Sequence, residues 1–346
     1  MFNKSLKDEI SNSELFEVLE SQTTLETVRG LLREKDLPHS ASSWEKMVES
    51  RLVPAISDGS LQVEELVELI KESEEHGHKH VMMYRFNPEE LENIKSMFDP
   101  TWLNGWAKEK GLPVTGKYVF AAFPNVPTVT EVRVGDGEQK EAIVLKIART
   151  LQRRKTAEIV EYQGREVYMA EVSKYRAVDV VKVHGSGLVE VRVHTRSGAI
   201  SYPGAALSAM NYLDGILPTG TVGDYSLGRA RDVFADSTKR PALPPQFELL
   251  EAELKNDRGD RMQSSSDPDH GGINGSEVTT GVIDQFSDAG YDAYCERARV
   301  SYKIGNTRKI NVILTELDNE IIVTSNVTRT EYDEILQAIL KVMEIY

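Results

Sequence analysis

The sequence predicts an α+β fold, in which an N-terminal helical domain precedes a mainly antiparallel β-sheet domain with covering helices. Before Gly111, apolar residues recur at the three- and four-residue spacing of amphipathic helices. After Gly111 the spacing changes to two, which is typical of half-buried strands, and helical spacing returns near the C-terminal end. A chain of 346 residues is long enough for two cores. We therefore place the helical domain at residues 1–110 and the α+β domain at 111–346.

Two long helices are predicted in the N-terminal part, at residues 15–35 and 43–75. Ser42 followed by Glu45 has the spacing of a capping box, which satisfies free backbone N–H groups at the start of a helix. Pro54 lacks a backbone N–H group, so it should break or kink the second helix.

Two shorter helices should follow, each with a proline at its first helical position. Asn87-Pro88 precedes a segment with helical apolar spacing, and Asp99-Pro100 precedes a segment that contains Trp102 and Trp106. Gly111 should end the second of these helices, because glycine adopts the backbone conformation that commonly follows a helix.

Beyond Gly111, the pattern predicts strands at 117–123 and 128–134 and a helix at 138–154. The apolar residues that would share one face of this helix are Ile143, Ile147 and Leu151. From residue 157 to 202 strands should dominate.

The clearest hairpin joins strands 177–183 and 188–194 through a turn at 184–187 that contains two glycines. In the second strand, valines alternate with polar residues, so one face should lie on a core and the other toward water or a partner. The chain should close with strands near 298–304, 309–317 and 320–325 and a helix from about Thr330 that covers the sheet.

Residues 256–280 contain almost no apolar side chains. Such a segment cannot bury enough apolar surface to offset the entropy of ordering. We therefore expect a flexible loop at about 256–280.

Charge is distributed unevenly along the chain, whose net charge is −14. Residues 1–100 contain 11 Lys/Arg and 21 Asp/Glu, whereas residues 141–200 contain 11 Lys/Arg and 7 Asp/Glu. Nucleic acid or another polyanion should therefore meet the central part of the chain. The alternative is an ordinary scatter of surface charge on solvated hairpins.

The basic side chains of this central part are the candidate nucleic-acid-binding residues. Tyrosines are interleaved among them, and a phosphate-binding face would combine both. The candidates are Arg149, Arg153, Arg154, Lys155, Arg165, Lys174, Arg176, Lys182, Arg192 and Arg196.

His76, His78 and His80 alternate along the chain, and on an extended segment their imidazoles would point in the same direction, as metal ligands require. The segment also follows a helix, and histidine is electrostatically favoured at a helix C-terminus, where a glycine often ends the helix. A second ligand cluster is not visible in the sequence. We favour the helix-end interpretation and expect neither metal nor cofactor.

No motif of an enzyme class is recognisable in the sequence. The glycine-rich stretches lie in predicted hairpin turns, so they do not match nucleotide-binding loops. His184 and Ser186 lack a third partner, and Cys295 has no histidine close in sequence. An enzyme, such as a hydrolase, is the alternative only if its site assembles in three dimensions. A deep pocket that collects His184, His194 and carboxylates would favour it.

Residues Leu25–Leu52 resemble a SAP-type helix-turn-helix, which is a small DNA-binding module. The resemblance rests on the Leu37-Pro38 turn and on the later segment Met47–Leu52. The glycine and lysine that usually follow the turn are absent, and two residues are extra.

On a larger scale, an N-terminal helical domain that precedes an α+β region ending in strands and a helix is similar to the centromere protein N family. The resemblance rests on the order of elements and not on a shared motif. It implies a non-enzymatic binding protein with a pyrin-like helical domain, which contacts nucleosomal DNA and pairs with a related partner. The acidic N-terminal part departs from what a DNA-facing domain would show.

Together these observations favour a binding or adaptor protein that acts within a multi-subunit assembly. We expect a protein partner for the helical domain, and DNA or RNA as a ligand of the basic central part. The single cysteine, Cys295, favours a reducing compartment, which is the cytoplasm, or the nucleus if the protein is eukaryotic. No apolar run suggests a signal peptide or a membrane segment.

Overall fold

The computed structural model describes residues 12–135, 142–196, 201–217, 220–267, 271–288, 292–305 and 308–344. It confirms the α+β fold class. The α-helices are α1 Asn12–Gln22, α2 Leu25–Glu34, α3 Trp44–Met47, α4 Val53–Ser57, α5 Val63–His76, α6 Leu91–Lys95, α7 Pro100–Glu109, α8 Tyr202–Met210, α9 Gly228–Ala235, α10 Glu277–Ser287 and α11 Arg329–Val342. The strands are β1 Lys79–Phe86, β2 Thr128–Val134, β3 Ala142–Tyr162, β4 Arg165–His184, β5 Leu188–His194, β6 Val222–Asp224, β7 Phe247–Lys255, β8 Arg261–Ser265, β9 Tyr294–Ile304, β10 Arg308–Leu314 and β11 Glu320–Val323.

The strands form one antiparallel sheet in the order β2-β3-β4-β5-β1-β11-β10-β9-β7-β8, with β6 paired to the end of β1. β1 therefore lies in the middle of the sheet, between β5 and β11. Its residues 81–84 are buried on both faces, as a central strand requires. The helical domain predicted at 1–110 therefore also contains a central strand, whose partners lie more than a hundred residues further along the chain.

Helices cover both faces of the sheet. On one face, α7 and α8 pack with Met82 and Tyr84 of β1. On the opposite face, α9 and α11 pack with Val81 and Met83 of the same strand. Among the described residues, no helix has both the length and the apolar content needed to cross a bilayer.

The N-terminal helices α1–α5 form a bundle with its own apolar core, which includes Leu19, Leu32, Leu52 and Leu66. This bundle lies on the sheet face that also carries α11, over β3 and β4. The core of this bundle comes from residues 15–70, whereas α7 packs in the core of the sheet.

The predicted helix bounds in this bundle need correction. Helix 15–35 is interrupted at Thr24, whose side chain accepts a hydrogen bond from the Thr27 backbone and so starts α2. Helix 43–75 ends near residue 57 and restarts at Val63, after a turn in which Gly59 has φ +81°. Ser43, and not Ser42, caps α3.

The predicted helix at 138–154 is wrong, because residues 142–162 form the long strand β3. A spacing of four is also a multiple of two, so Ile143 and Ile147 share a face in a strand as well. Leu145 lies between them and is buried in the same core. Residues two apart point to the same side in a strand but not in a helix, so the burial of Leu145 fits only the strand. Residues 136–141 lie outside the described part.

Two further predictions need correction. Residues 117–123 form no regular strand, because Tyr118 and Phe120 turn toward the core of the N-terminal bundle while Val119 alone bonds to Thr130 of β2. The flexible loop expected at about 256–280 contains regular structure, namely β8 and the start of α10, and its Ile273 is fully buried. β8 is the edge strand of the sheet and is ordered by backbone pairing with β7, which a low apolar content does not prevent. The flexibility of this segment stays a prediction.

Several local predictions are confirmed. β2 has the predicted bounds, and β4 pairs with β5 from Val180 to Val183 through the expected turn. Asp99 caps α7, and Gly111 follows that helix with φ +68°. The closing strands and the C-terminal helix also lie where the apolar pattern places them.

Candidate functional site

A two-stranded ribbon projects from the sheet, formed by the outer parts of β3 and β4. The two strands pair continuously from Ala142 opposite His184 to Tyr162 opposite Arg165. On β3, pairing with β2 stops at Ala148, and on β4, pairing with β5 begins only at Val180. Residues 149–177 therefore form a ribbon that no other described strand accompanies.

The ribbon closes in a two-residue turn at Gln163 and Gly164. Both residues have positive φ, at +53° and +71°, which matches the twist of a tight hairpin. This short turn between two segments rich in β-branched and aromatic residues is the sequence signal for the ribbon. The helix predicted at 138–154 concealed it.

The tip of the ribbon exposes apolar side chains, with Ile159 and Val172 on one face and a group of three on the other. Val167 and Met169 alternate on β4, and Tyr162, opposite Arg165, belongs to the same face by register. Tyr162 is 64% exposed, Met169 57% and Val167 39%. Side chains of this size and character usually pack against something, so a contiguous group of them marks a contact surface.

The ten basic candidates do not form one face. Arg176, Lys182 and Arg192 lie inside the protein, so they are unavailable to phosphate. Arg149 and Arg196 are largely covered and both pair with Asp179 at 2.7 Å. The candidates that remain exposed are Arg153, Arg165 and Lys174, all on the ribbon. The side chains of Arg154 and Lys155 lie outside the described part.

Most of the buried cations belong to a layer of charges between the N-terminal bundle and the sheet. Arg176 donates from Nε to Glu74 at 2.7 Å, and both side chains are fully buried. The Tyr118 hydroxyl donates to Glu74 and accepts from Arg176 at 3.1 Å. Short-range sequence patterns do not reveal these pairs, because their members lie between 44 and 102 residues apart.

A second group in the layer is centred on Glu75. Lys146 approaches its carboxylate at 2.6 Å and Arg133 at 3.0 Å, and Lys146 also pairs with Glu131 at 3.1 Å. Burial opposes ionisation of Glu75, but the charges of Lys146 and Arg133 outweigh burial and hold its pKa well below the usual value.

A third group lies beneath α11. Arg192 donates to Glu190 at 2.8 Å and lies 4.0 Å from the centre of the Tyr332 ring, whose hydroxyl also donates to Glu190. His184 lies against the other oxygen of the same carboxylate. Each ion is thus matched by an opposite charge, which is the arrangement of a structural interface.

The three alternating histidines do not converge. His76 is the last residue of α5 and packs against Tyr332, so the helix-end interpretation is confirmed for it. His80 stacks on Tyr202 and lies 2.7 Å from a Glu320 oxygen, while His78 occupies a turn with φ +47°. Within the described ranges, no group of three His, Cys, Asp or Glu side chains is arranged to hold a metal ion.

His184 and His194 do not come together in the fold. His184 ends β4 beside the start of β5, whereas His194 ends β5, roughly 20 Å away at the rise of a strand. Cys295 is buried, and burial raises its thiol pKa to about 12, so the thiolate needed for nucleophilic attack does not form near neutral pH.

No protein-family model matches this chain, and no curated protein matches it. The candidate functional surface is therefore defined by the geometry of the ribbon alone.

Proposed function

We propose that the protein is a non-enzymatic binding or adaptor protein that holds a protein partner through the tip of the β3–β4 ribbon. The observation that carries the proposal is the exposed apolar face formed by Tyr162, Val167 and Met169. Aromatic and long apolar side chains supply much of the binding energy at protein interfaces, and tyrosine is enriched there.

The geometry of the ribbon supports the same proposal. Both of its edges carry backbone N–H and C=O groups that no described strand pairs, so a partner segment can add to it as a further strand. Its base continues into the central sheet, where Ile143, Leu145 and Val181 are fully buried. A rigid base reduces the entropy that the ribbon loses on binding.

A second candidate function is contact with nucleic acid through the same ribbon. Its specific support is the presence of Arg153, Arg165 and Lys174 on an arm whose two-stranded form the major groove of DNA can admit. Contact with nucleosomal DNA, which the resemblance to the centromere protein N family implies, stays a prediction, as does pairing with a related partner.

The test is a triple variant, Tyr162→Ser with Val167→Ser and Met169→Ser, used as bait in quantitative affinity purification from the native source. These side chains are exposed, so the melting temperature should stay within a few degrees of wild type. The control is Leu207→Ser with Val278→Ser, which removes exposed apolar side chains from two helices elsewhere.

We expect at least one protein to co-purify with both the wild type and the control variant. Its recovery with the ribbon variant should fall at least about tenfold, which corresponds to a loss of roughly 1.4 kcal/mol of binding free energy. Equal recovery with all three baits would refute the proposal. Recovery of nucleic acid alone, lost on charge reversal of Arg153 and Lys174, would favour the second candidate.

A further inference from the structure

A small polar cavity lies between the N-terminal bundle and the sheet, away from the ribbon tip. Its volume is about 220 Å³. The wall is formed by residues 21–23 at the end of α1, Ser73 of α5, residues 77–79, His194 at the end of β5, and Asn326. The space is enough for a tetrahedral ion and a few waters, since each water occupies about 30 Å³ in the liquid.

No described carboxylate contributes to this wall, although the chain has a net charge of −14. The two larger grooves of the described structure differ in this respect. Glu65 and Glu72 line one of them, and Glu253 and Glu296 line the other. Unlike these two grooves, the small cavity presents nitrogen and hydroxyl groups without acidic ones.

Lys79 is the charged member of the wall, and it is only 1% exposed. Its ammonium donates to the Val178 carbonyl at 2.6 Å, but among the described residues no carboxylate oxygen lies within 4.0 Å of it. The equally buried Lys146 has two such partners, Glu75 and Glu131. A buried charge is costly unless it is paired, so Lys79 lacks the partner that its environment requires.

His194 supplies a second nitrogen to the cavity. It lies directly opposite Lys79 in the β1–β5 register, so the two side chains share a face of the sheet. The Nδ1 atom of His194 is buried and has no hydrogen-bond partner among the described residues. Burial and the nearby charge of Lys79 lower the pKa of His194 to about 2, so the ring is neutral and can donate from one nitrogen.

We propose that this cavity is a binding site for a small oxyanion of the phosphate or sulfate class, with Lys79 as its counter-ion and His194 as a second hydrogen-bond donor. The anion would supply the ion-pair partner that Lys79 lacks and, with the proton of His194 on Nδ1, the acceptor that this nitrogen lacks. The site is independent of the proposed function of the ribbon, because none of its wall residues belongs to the ribbon at 149–177.

The first test uses the full chain in isothermal titration calorimetry and thermal unfolding with sodium phosphate, sodium sulfate and sodium acetate. Ionic strength is held constant with sodium chloride. We expect one saturable site for phosphate and sulfate with a Kd of roughly 0.5 mM or lower, so that about 50 mM phosphate exceeds the Kd a hundredfold and raises the melting temperature clearly. Saturable binding of acetate with equal affinity would assign the site to carboxylates and overturn the phosphate class. No effect beyond that of chloride would overturn the site itself.

The second test is Lys79→Met, which should raise the Kd for phosphate at least about tenfold, since it removes the charge-assisted contact. Without phosphate, this variant should unfold at the same or a higher temperature than wild type, because it removes an unpaired buried charge. Lys146→Met is the matched control, and it should lower the melting temperature with or without phosphate. A phosphate Kd unchanged by Lys79→Met would refute the assignment.

A wild-type measurement keeps the proposal testable if Lys79→Met does not fold. Burial lowers the pKa of Lys79 to about 8, despite the attraction of Asp179 and Glu74. NMR of ¹³C-labelled lysines should show one side chain that titrates near this pH, and phosphate should move its midpoint upward. An unchanged midpoint at saturating phosphate, or a uniform shift of all lysines, would refute the site.

Discussion

Replacement of Glu74 by Gln tests whether the N-terminal bundle is held to the sheet by paired charges. Glu74 and Arg176 are both fully buried, and their side chains join at 2.7 Å. Gln keeps the shape of Glu but carries no charge. The Glu74→Gln variant therefore leaves the Arg176 guanidinium buried without a counter-ion.

The expected loss of stability follows from the nature of arginine. Its guanidinium cannot lose its proton under these conditions, so it cannot escape the cost of burial by neutralisation. Removal of one partner from a buried ion pair typically costs about 3–5 kcal/mol. The Arg176 Nη1 atom already lacks a hydrogen-bond partner among the described residues, so we place the cost of Glu74→Gln in the upper part of that range.

The reciprocal variant Arg176→Met tests the same pair from the other side. It leaves the Glu74 carboxylate buried without its cation, which should also lower the free energy of unfolding.

The assay is urea unfolding followed by circular dichroism and fluorescence, on both single variants and on the double variant Glu74→Gln with Arg176→Met. We expect the double variant to lose less stability than Glu74→Gln alone, because it removes both charges. The exposed Glu68, which pairs with Lys71 on the same helix, provides the control Glu68→Gln, with an expected cost below about 1 kcal/mol.

If Glu74→Gln costs no more than Glu68→Gln, the ion pair does not hold the bundle to the sheet. Strictly additive effects in the double variant would lead to the same conclusion.

Three further predictions concern other parts of the chain. Gly272→Ala should lower the free energy of unfolding by at least roughly 1–3 kcal/mol, because Gly272 has φ +58° and an added Cβ would lie 2.4 Å from a backbone carbonyl oxygen. Gly281 lies within α10 with open space around it, so Gly281→Ala should raise the free energy of unfolding by about 0.5–1 kcal/mol in the same urea assay. Burial and the charge of a nearby arginine lower the pKa of His76 to about 3, which is below the value in the unfolded chain. The neutral His76 ring therefore contributes its full stability above about pH 6.5, and this contribution is lost as the pH falls toward 3. His76→Leu should therefore flatten the dependence of unfolding free energy on pH in that window by roughly 1.4 kcal/mol per unit, and an unchanged slope would contradict this. If the ribbon binds DNA, its three exposed cations predict a log–log salt slope near −3, at about −0.9 per phosphate contact, and charge reversal of Arg153 and Lys174 should bring the slope to roughly −1 or abolish binding.

Local sequence determined those elements whose signals are complete within a few residues. The alternation of valines in β5 and the turn before it predicted that hairpin, and the proline after Asp99 predicted the start of α7. The apolar spacing of α11 placed the C-terminal helix within a residue of its start at Arg329. In each case the deciding contacts are short-range, so a short window of sequence contains them.

Tertiary structure alone decided the elements whose signals are ambiguous or distant. The spacing of Ile143 and Ile147 suits a helix as well as a strand, and only pairing with β2 and β4 makes this segment β3 and so creates the ribbon. The exposure of the cations was equally invisible in the sequence. Arg176 and Arg192 are internal because Glu74 and Glu190 meet them in the fold, whereas Arg153 on the ribbon stays in solvent. Charge is a property of the residue, but its availability to a ligand depends on long-range contacts that bury it beside an opposite charge.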